Sequence, residues 1–517
     1  MDARPPTREI APILISLLLA LLLAMLDNTI VGPALPTIVG ELGGLEHLSW
    51  VFTAFALTSA IAMLVLGKVG DLVGRKSTWM ASILIFLIGS ALSGAAQDMT
   101  QLVAFRAVQG VGAGGLVVGG MAIMGELVSP AERGKYQGLL VAVTPIALLG
   151  GPLAGGWITD HASWRWAFYV NLPLGAVVLL AVWFTLRLPA RERPKVVIDW
   201  WGVGVLALAT SALVLIGSWA GTRYGWASWQ ILALAAVAAV GVAVLVAVER
   251  AAREPVLPLH VLTNRDFALS GVLAFVSGLA MVVAAAFLPQ YQQLVQGYSA
   301  TSSGLLLLPV MAPTVVVSIV VGQLISRTRR VRIYTIVGSA VMVAGMFALA
   351  QLEIGTGPAA AIAFMILLGL GMGFVLQVPT LIAQNSVQLR DMGAAMGIST
   401  YLRTIGMSLG AAVLGTVYAT RFERAAQARG GAAIPTGSAN LSPERLRSMP
   451  EPVRDAVRGS VTAGIQGVFW AGTCCAVLGF VAACLLRDIR LAGREELVAA
   501  RAAATRAAEA APEAPGR

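Results

Sequence analysis

The chain has 517 residues, 57% hydrophobic and 12% charged, with a mean hydropathy of +0.81; that balance excludes a water-soluble globule of this length. A formal net charge of +10 would suggest nucleic acid in a soluble protein, but among long apolar runs it reads as loop topology, so no nucleic-acid partner is expected. Cys474, Cys475 and Cys484 all lie in the last apolar run and carry neither metal spacing nor a disulfide framework.

The apolar runs have the length of helical spans, about 20 residues, rather than of barrel strands. In chain order they fall near 10–32, 48–67, 78–97, 101–125, 136–158, 166–186, 201–219, 228–248, 267–290, 303–325, 333–352, 358–382, 392–419 and 461–486, fourteen in all. The first is too long for a cleaved secretion signal and carries Asp27 and Pro33, so it reads as a retained span. With the N-terminus inside, inner segments hold 25 of the 36 Lys and Arg, and seven of the nine outer ones sit in one long loop, Arg421 to Arg458. That bias predicts both termini to be cytoplasmic. Every Trp except Trp470 lies near a span end, as expected of interfacial anchors.

Between the second and third runs lies GKVGDLVGRK, Gly67 to Lys76, predicted to be a charged turn at the membrane surface. Retention of a basic inner loop explains its cations but not Asp71 or the glycines at 67, 70 and 74. Asp71 can pair with Arg75 or sit at a helix N-terminus, and the glycines let two helix ends approach closely. The expectation is a breakable latch. A weaker echo, Gly322-Gln-Leu-Ile-Ser followed by Arg327, Arg329 and Arg330, follows the tenth run. It marks a duplicated six-helix unit, with the seventh and eighth spans inserted. The domains read as 1–190, an inserted pair over 191–262, and 263–487 with an outer loop at 420–460, followed by a cytoplasmic tail at 488–517. Ser442-Pro443-Glu444 in the loop resembles a helix start, for a lid or a passive solvated segment.

Ionisable groups inside the bilayer are functional hypotheses by default. Asp27 and Arg106 fall at similar depth from the outer ends of the first and fourth spans, which makes Asp27 the expected protonation site and Arg106 its switchable counter-charge; a static ion pair is the competing reading. Arg403 has no acid at its depth and is expected to bond backbone carbonyls or the Gln290, Gln292 and Gln293 cluster, along a possible substrate pathway. Glu126 and Asp391 lie at inner span ends and rank lower. The fifth span holds Pro145 and the run Gly150-Gly151-Pro152-Leu-Ala-Gly155-Gly156, suited to a kinked, tightly packed helix in an alternating-access interface or to plain packing. No nucleotide-binding or hydrolase motif occurs, so the chain is not expected to be an enzyme, and no cofactor or metal is expected. Gly110, Gly112 and Gly115 lie inside a span and are not a dinucleotide loop.

Four ordered segments, LDNTIVGPALP (Leu26 to Pro36), GKVGDLVGRK, RAVQGVGAGG (Arg106 to Gly115) and GGPLAGG (Gly150 to Gly156), resemble those of the major facilitator superfamily. The fourteen spans resemble its drug:proton antiporter-2 family. The resemblance covers all but the tail, with Gly32-Pro33 standing where the family usually has Asn-Val. It implies an all-α membrane protein of two six-helix bundles plus two linker helices. It further implies that Gly67, Asp71, Gly74, Arg75 and Lys76 form an inner-gate latch, that Arg106 assists proton coupling, and that Asp27 recognises a proton or cation. Gly151, Pro152, Gly155 and Gly156 would mark an exporter. The expected function is proton-coupled antiport of amphipathic, cationic small molecules by a monomer in the cell membrane. Export of a lipid, glycolipid or natural product is the alternative, and a membrane sensor or scaffold a third reading.

Overall fold

A computed structural model describes residues 7–44, 47–186, 199–221, 223–252, 254–298, 306–429, 446 and 448–488. Residues 187–198 between the sixth and seventh expected spans, the Ser442-Pro443-Glu444 helix start and the tail beyond residue 488 lie outside them. Among the described residues there is no strand, and fourteen helices are long and apolar enough to cross a membrane. They are α1 (Ala11–Leu42), α2 (Leu48–Val73), α3 (Arg75–Gly94), α4 (Met99–Leu127), α5 (Pro130–His161), α6 (Trp166–Thr185), α7 (Trp200–Trp219), α8 (Trp229–Ala251), α9 (Arg265–Val295), α10 (Leu308–Thr328), α11 (Arg332–Leu349), α12 (Pro358–Ser386), α13 (Leu389–Ala428) and α14 (Glu451–Leu485).

All fourteen expected spans are present, and the differences lie at their ends. Helix α1 continues through Pro33 and Pro36, because neighbouring helices can hold a proline-bearing helix together inside a bilayer. The charged turn is almost entirely helix: α2 carries Gly67 to Val73, α3 starts at Arg75, and Gly74 alone turns the chain at φ 118°. That value lies where residues with a Cβ are strained, which accounts for a glycine there. Side-chain caps start several helices, with Asp98 Oδ1 accepting from Gln101 N at 2.8 Å for α4 and Asn264 Oδ1 from Phe267 N at 3.2 Å for α9. In α9, two π-helical turns, Val283–Phe287 and Tyr291–Val295, flank Pro289.

The tryptophan expectation holds only in part. Trp183, Trp200, Trp201 and Trp229 are exposed, but Trp79 and Trp164 are buried. Trp79 Nε1 donates to Leu116 O at 3.0 Å and Trp164 Nε1 to Glu41 Oε2 at 2.7 Å, so these two rings tie helices together rather than anchoring at an interface.

Glycine contacts display the internal repeat. A Cβ on Gly110, Gly112 or Gly114 of α4 would strike backbone at Phe55, Phe86 and Ser59; one on Gly369, Gly371 or Gly373 of α12 would strike it at Val310, Met342 and Thr314. Each α12 glycine follows its α4 counterpart by 259 residues, while the α10 partners follow those of α2 by 255 and Met342 follows Phe86 by 256. The same small-residue packing is thus built twice, as close approach of helices in a membrane requires. Two apolar clusters draw on α1–α6 and their joints alone. A third draws on α9–α14 and their joints apart from Val141 of α5. The architecture is two six-helix bundles with α7 and α8 inserted. Helix α7 packs on α8 and touches both bundles: Trp219 meets Trp50 at 5.9 Å between ring centroids, and Thr210 Oγ1 lies 3.1 Å from Tyr401 Oη.

Candidate functional site

The Asp27 carboxylate is fully buried, as is Arg106, and the two form an ion pair between α1 and α4. Sequence spacing located this pair, but three further groups complete it. Gln109 Nε2 and Asn171 Nδ2 donate to Asp27 Oδ1 at 2.8 and 2.7 Å, and Gln109 Oε1 accepts from Arg106 Nη1 at 2.9 Å. Asn171 Nδ2 also donates to Ser90 Oγ at 2.9 Å, and Ser90 Oγ to Phe168 O at 2.8 Å. The guanidinium lies over the Phe55 ring, 4.1 Å from its centroid, which favours the cation. Arg106 Nη2 is buried without a partner. One carboxylate is therefore held by donors from α4 and α6, and losing or gaining its charge would alter three side-chain contacts at once. Gln109 was legible in principle: it follows Arg106 by three residues and so shares its helix face. Asn171 meets Asp27, and Ser90 meets Asn171, only through the tertiary fold.

A second charged cluster surrounds the Gly74 turn, on what is here called the latch face. Arg75 Nη2 donates to Asp71 Oδ1 at 2.8 Å and to Leu389 O at 2.6 Å, while its Nη1 meets Glu126 Oε2 at 2.6 Å. Asp71 Oδ2 accepts from Ala394 N at 3.0 Å. Residues of the first bundle thus grip the start of α13 in the second, and Glu126 belongs to the grip despite its low sequence ranking. Gly67 faces Gly393, where a Cβ on either would strike the other's carbonyl oxygen. Gly74 supplies the turn. Lys76 does not join: its Nζ donates to Trp183 O of α6 at 2.8 Å. A further strap was not foreseen. Buried Arg133 of α5 donates from Nη1 to Gln384 O at 2.7 Å and Asn385 Oδ1 at 3.0 Å, and from Nη2 to Gly125 O at 2.5 Å. Asp391, also ranked low, pairs with His260 at 3.0 Å.

Replacing Gly67 with Ala places a methyl group against the Gly393 carbonyl. Overpacking of about 1–3 kcal/mol is expected to widen the distance between spin labels on the latch-face ends of α2 and α13. An unchanged distance distribution would show that the contact does not hold the halves together.

Along α5, Gly151 and Gly155 pack against α1, at Thr29 and the Ile30 carbonyl, whereas Gly156 meets nothing within 4 Å. Pro152 is exposed. Thr29 Oγ1 donates to Ala147 O at 2.9 Å. The glycine run therefore divides into one face that fits α1 and one that does not. Gln290, Gln293 and Arg403 are not brought together. The Arg403 carbonyl packs on Gly278, twelve residues and roughly 18 Å along α9 from Gln290, and the buried Gln292 amide donates to Leu306 O at 3.1 Å. Gln290 is exposed, Gln293 and Arg403 half-buried. Among the described residues, no cluster of acids, histidines and cysteines could hold a metal.

Two six-helix bundles built on one repeated plan, with a buried ion pair inside the first, are the architecture of a membrane transporter. Residues 17–411 match the Major Facilitator Superfamily, and the chain belongs to that family. It is 34% identical over 508 residues to the multidrug transporter protein MdtP of Bacillus subtilis, covering 93% of each chain. It is 35% identical to multidrug resistance protein 3 of the same organism, over 79% of this chain and 80% of that one. It is 32% identical to the acurin A biosynthesis cluster transporter of Aspergillus aculeatus, over 93% and 89%. Among solved structures, the human organic anion transporter MFSD10 superposes with a TM-score of 0.63 at 14% identity, over 93% of this chain and all of that one. That likeness concerns the fold alone.

Proposed function

We propose that this transporter is a proton-coupled antiporter that exports amphipathic, cationic small molecules. The observation that carries the reading is the Asp27 carboxylate, wholly buried and held by Arg106, Gln109 and Asn171. A buried carboxylate ionises or not according to its partners and hydration, so a transition that parts Asp27 from Arg106 favours uptake of a proton. Protonation and substrate binding then compete while residues 1–190 rock against 263–487, with 191–262 as the inserted pair. Asp71, Arg75 and Glu126 serve as the latch, Gly151 and Gly155 as the close contact on which α5 moves against α1, and Arg403, Gln290 and Gln293 as parts of the substrate path. The cation bias of the short loops supports a cell-membrane protein with both termini and the latch face in the cytoplasm. The multidrug names of the two Bacillus relatives support the substrate class.

Proton flux tests this in liposomes holding the purified protein and a pH gradient, on addition of a lipophilic cation such as ethidium. Dissipation of the gradient by the cation is the expected result. A gradient untouched by cations in folded protein would remove the drug reading. The alternative, export of a lipid, glycolipid or natural product, is favoured by the relative from a biosynthesis cluster, and stimulation of proton flux by such molecules would identify it.

A further inference from the structure

Outside the Asp27 network and the latch, two buried amides have no evident use. Gln137 of α5 and Gln377 of α12 are each 1% exposed, and all four of their side-chain polar atoms lack a hydrogen-bond partner. Native structures pair nearly all such groups, with protein or with ordered water. Both amides lie where the bundles touch. Gly134 of α5 approaches Gly322 of α10 closely, and Gly138 approaches Ser318. Gln377 Oε1 is 3.4 Å from the point where a Cβ on Gly322 would stand. Gln137 lies between Gly134 and Gly138 on α5.

The internal repeat supplies a control. The spacing of 259 residues that relates α4 to α12 also relates Gly134 and Gly138 to Gly393 and Gly397, which approach Gly67 and Met63 of α2. By that spacing Val118 is the counterpart of Gln377, and Met396 of Gln137. Val118 Cγ1 lies 3.1 Å from the Cβ position of Gly67, as Gln377 Oε1 lies near that of Gly322. Val118 and Met396 belong to one buried apolar cluster. At these two positions the junction carries apolar side chains on the α2–α13 side and amides on the α5–α10 side.

We propose that Gln137 and Gln377 bind ordered water between the two bundles, so that the α5–α10 contact is a hydrated seam and the α2–α13 contact, beyond the Asp71–Ala394 bond, a dry one. Gln384, whose buried Oε1 is also without a partner, extends the polar line toward the latch face. A seam whose polar groups are already solvated parts at lower cost than one that must expose apolar surface. Opening of the latch face therefore starts on the α5–α10 side.

The direct test is a density map of the latch-closed protein in nanodiscs, fine enough to show ordered water. Density within hydrogen-bonding reach of both amides is expected; amides bonded directly to each other would overturn the proposal. The double variant Gln137→Met, Gln377→Val, which installs the counterpart residues, provides a second measurement. It is expected to melt several degrees higher and to shift spin-label distances across α5 and α10 toward the closed value. A double variant that melts at or below the wild-type temperature with unchanged distances would also overturn it.

Discussion

Asp27→Asn is expected to abolish cation-driven proton flux while leaving a folded protein. Asparagine keeps the shape of the side chain and can still accept from Gln109 and Asn171, which donate to Asp27 Oδ1 at 2.8 and 2.7 Å. What it loses is the group that takes up and releases a proton. Coupling should fall to the level of protein-free liposomes, whereas downhill movement of the cation need not stop, because the route between the bundles does not depend on the charge. The measurement is proton flux beside cation flux in the same liposomes. Normal coupling by this variant would place the proton site elsewhere. The substitution also leaves the Arg106 guanidinium without its anion, with Gln109 Oε1 at 2.9 Å, the Val51 carbonyl at 3.4 Å and the Phe55 ring as remaining partners, so some loss of stability accompanies the loss of coupling.

The reverse substitution separates these two effects. Arg106→Gln removes the cation from a wholly buried pair and is expected to cost about 3–5 kcal/mol of stability, because an uncompensated charge is left in a medium that cannot solvate it. Combining it with Asp27→Asn should restore most of that stability, since two neutral amides can bond each other where two charges stood. Coupling should remain absent in the double variant. Thermal unfolding of the four proteins gives the interaction energy directly. Additive losses would mean that the pair does not act as a unit, contrary to the network in which Gln109 bridges both partners. A static ion pair predicts the same stability cycle but intact coupling in the double variant, so the flux measurement decides between the two roles.

The sequence by itself determined a great deal here, because the bilayer imposes simple rules. Fourteen helices follow from run length, since a chain in hydrocarbon must satisfy its backbone internally and needs about 20 apolar residues to cross. The repeat followed from one echoed motif, and the glycine contacts of α4 and α12 display it along the helices. Asp27 and Arg106 stood out because charge is rare at that depth. The Asp71–Arg75 pair was legible as an acid and a base set close together in one short turn between two spans.

Only the tertiary structure decided which groups those residues meet. Asn171 reaches Asp27 across 144 positions of sequence and Arg75 reaches Leu389 across 314, separations at which no periodicity carries information. Glu126 ranks low by sequence as a charge at an inner span end and Arg133 carries no sequence signal, yet the fold sets them against Arg75 and Gln384. Lys76 looked like part of the latch, yet the single-residue turn at Gly74 directs it toward α6. The same limit applies to the tryptophans, where nearness to a span end cannot distinguish an exposed ring from Trp79, buried against α4. Local patterning states which side chains share a helix face; which face meets which is settled by how the helices pack, and that is a property of the whole chain.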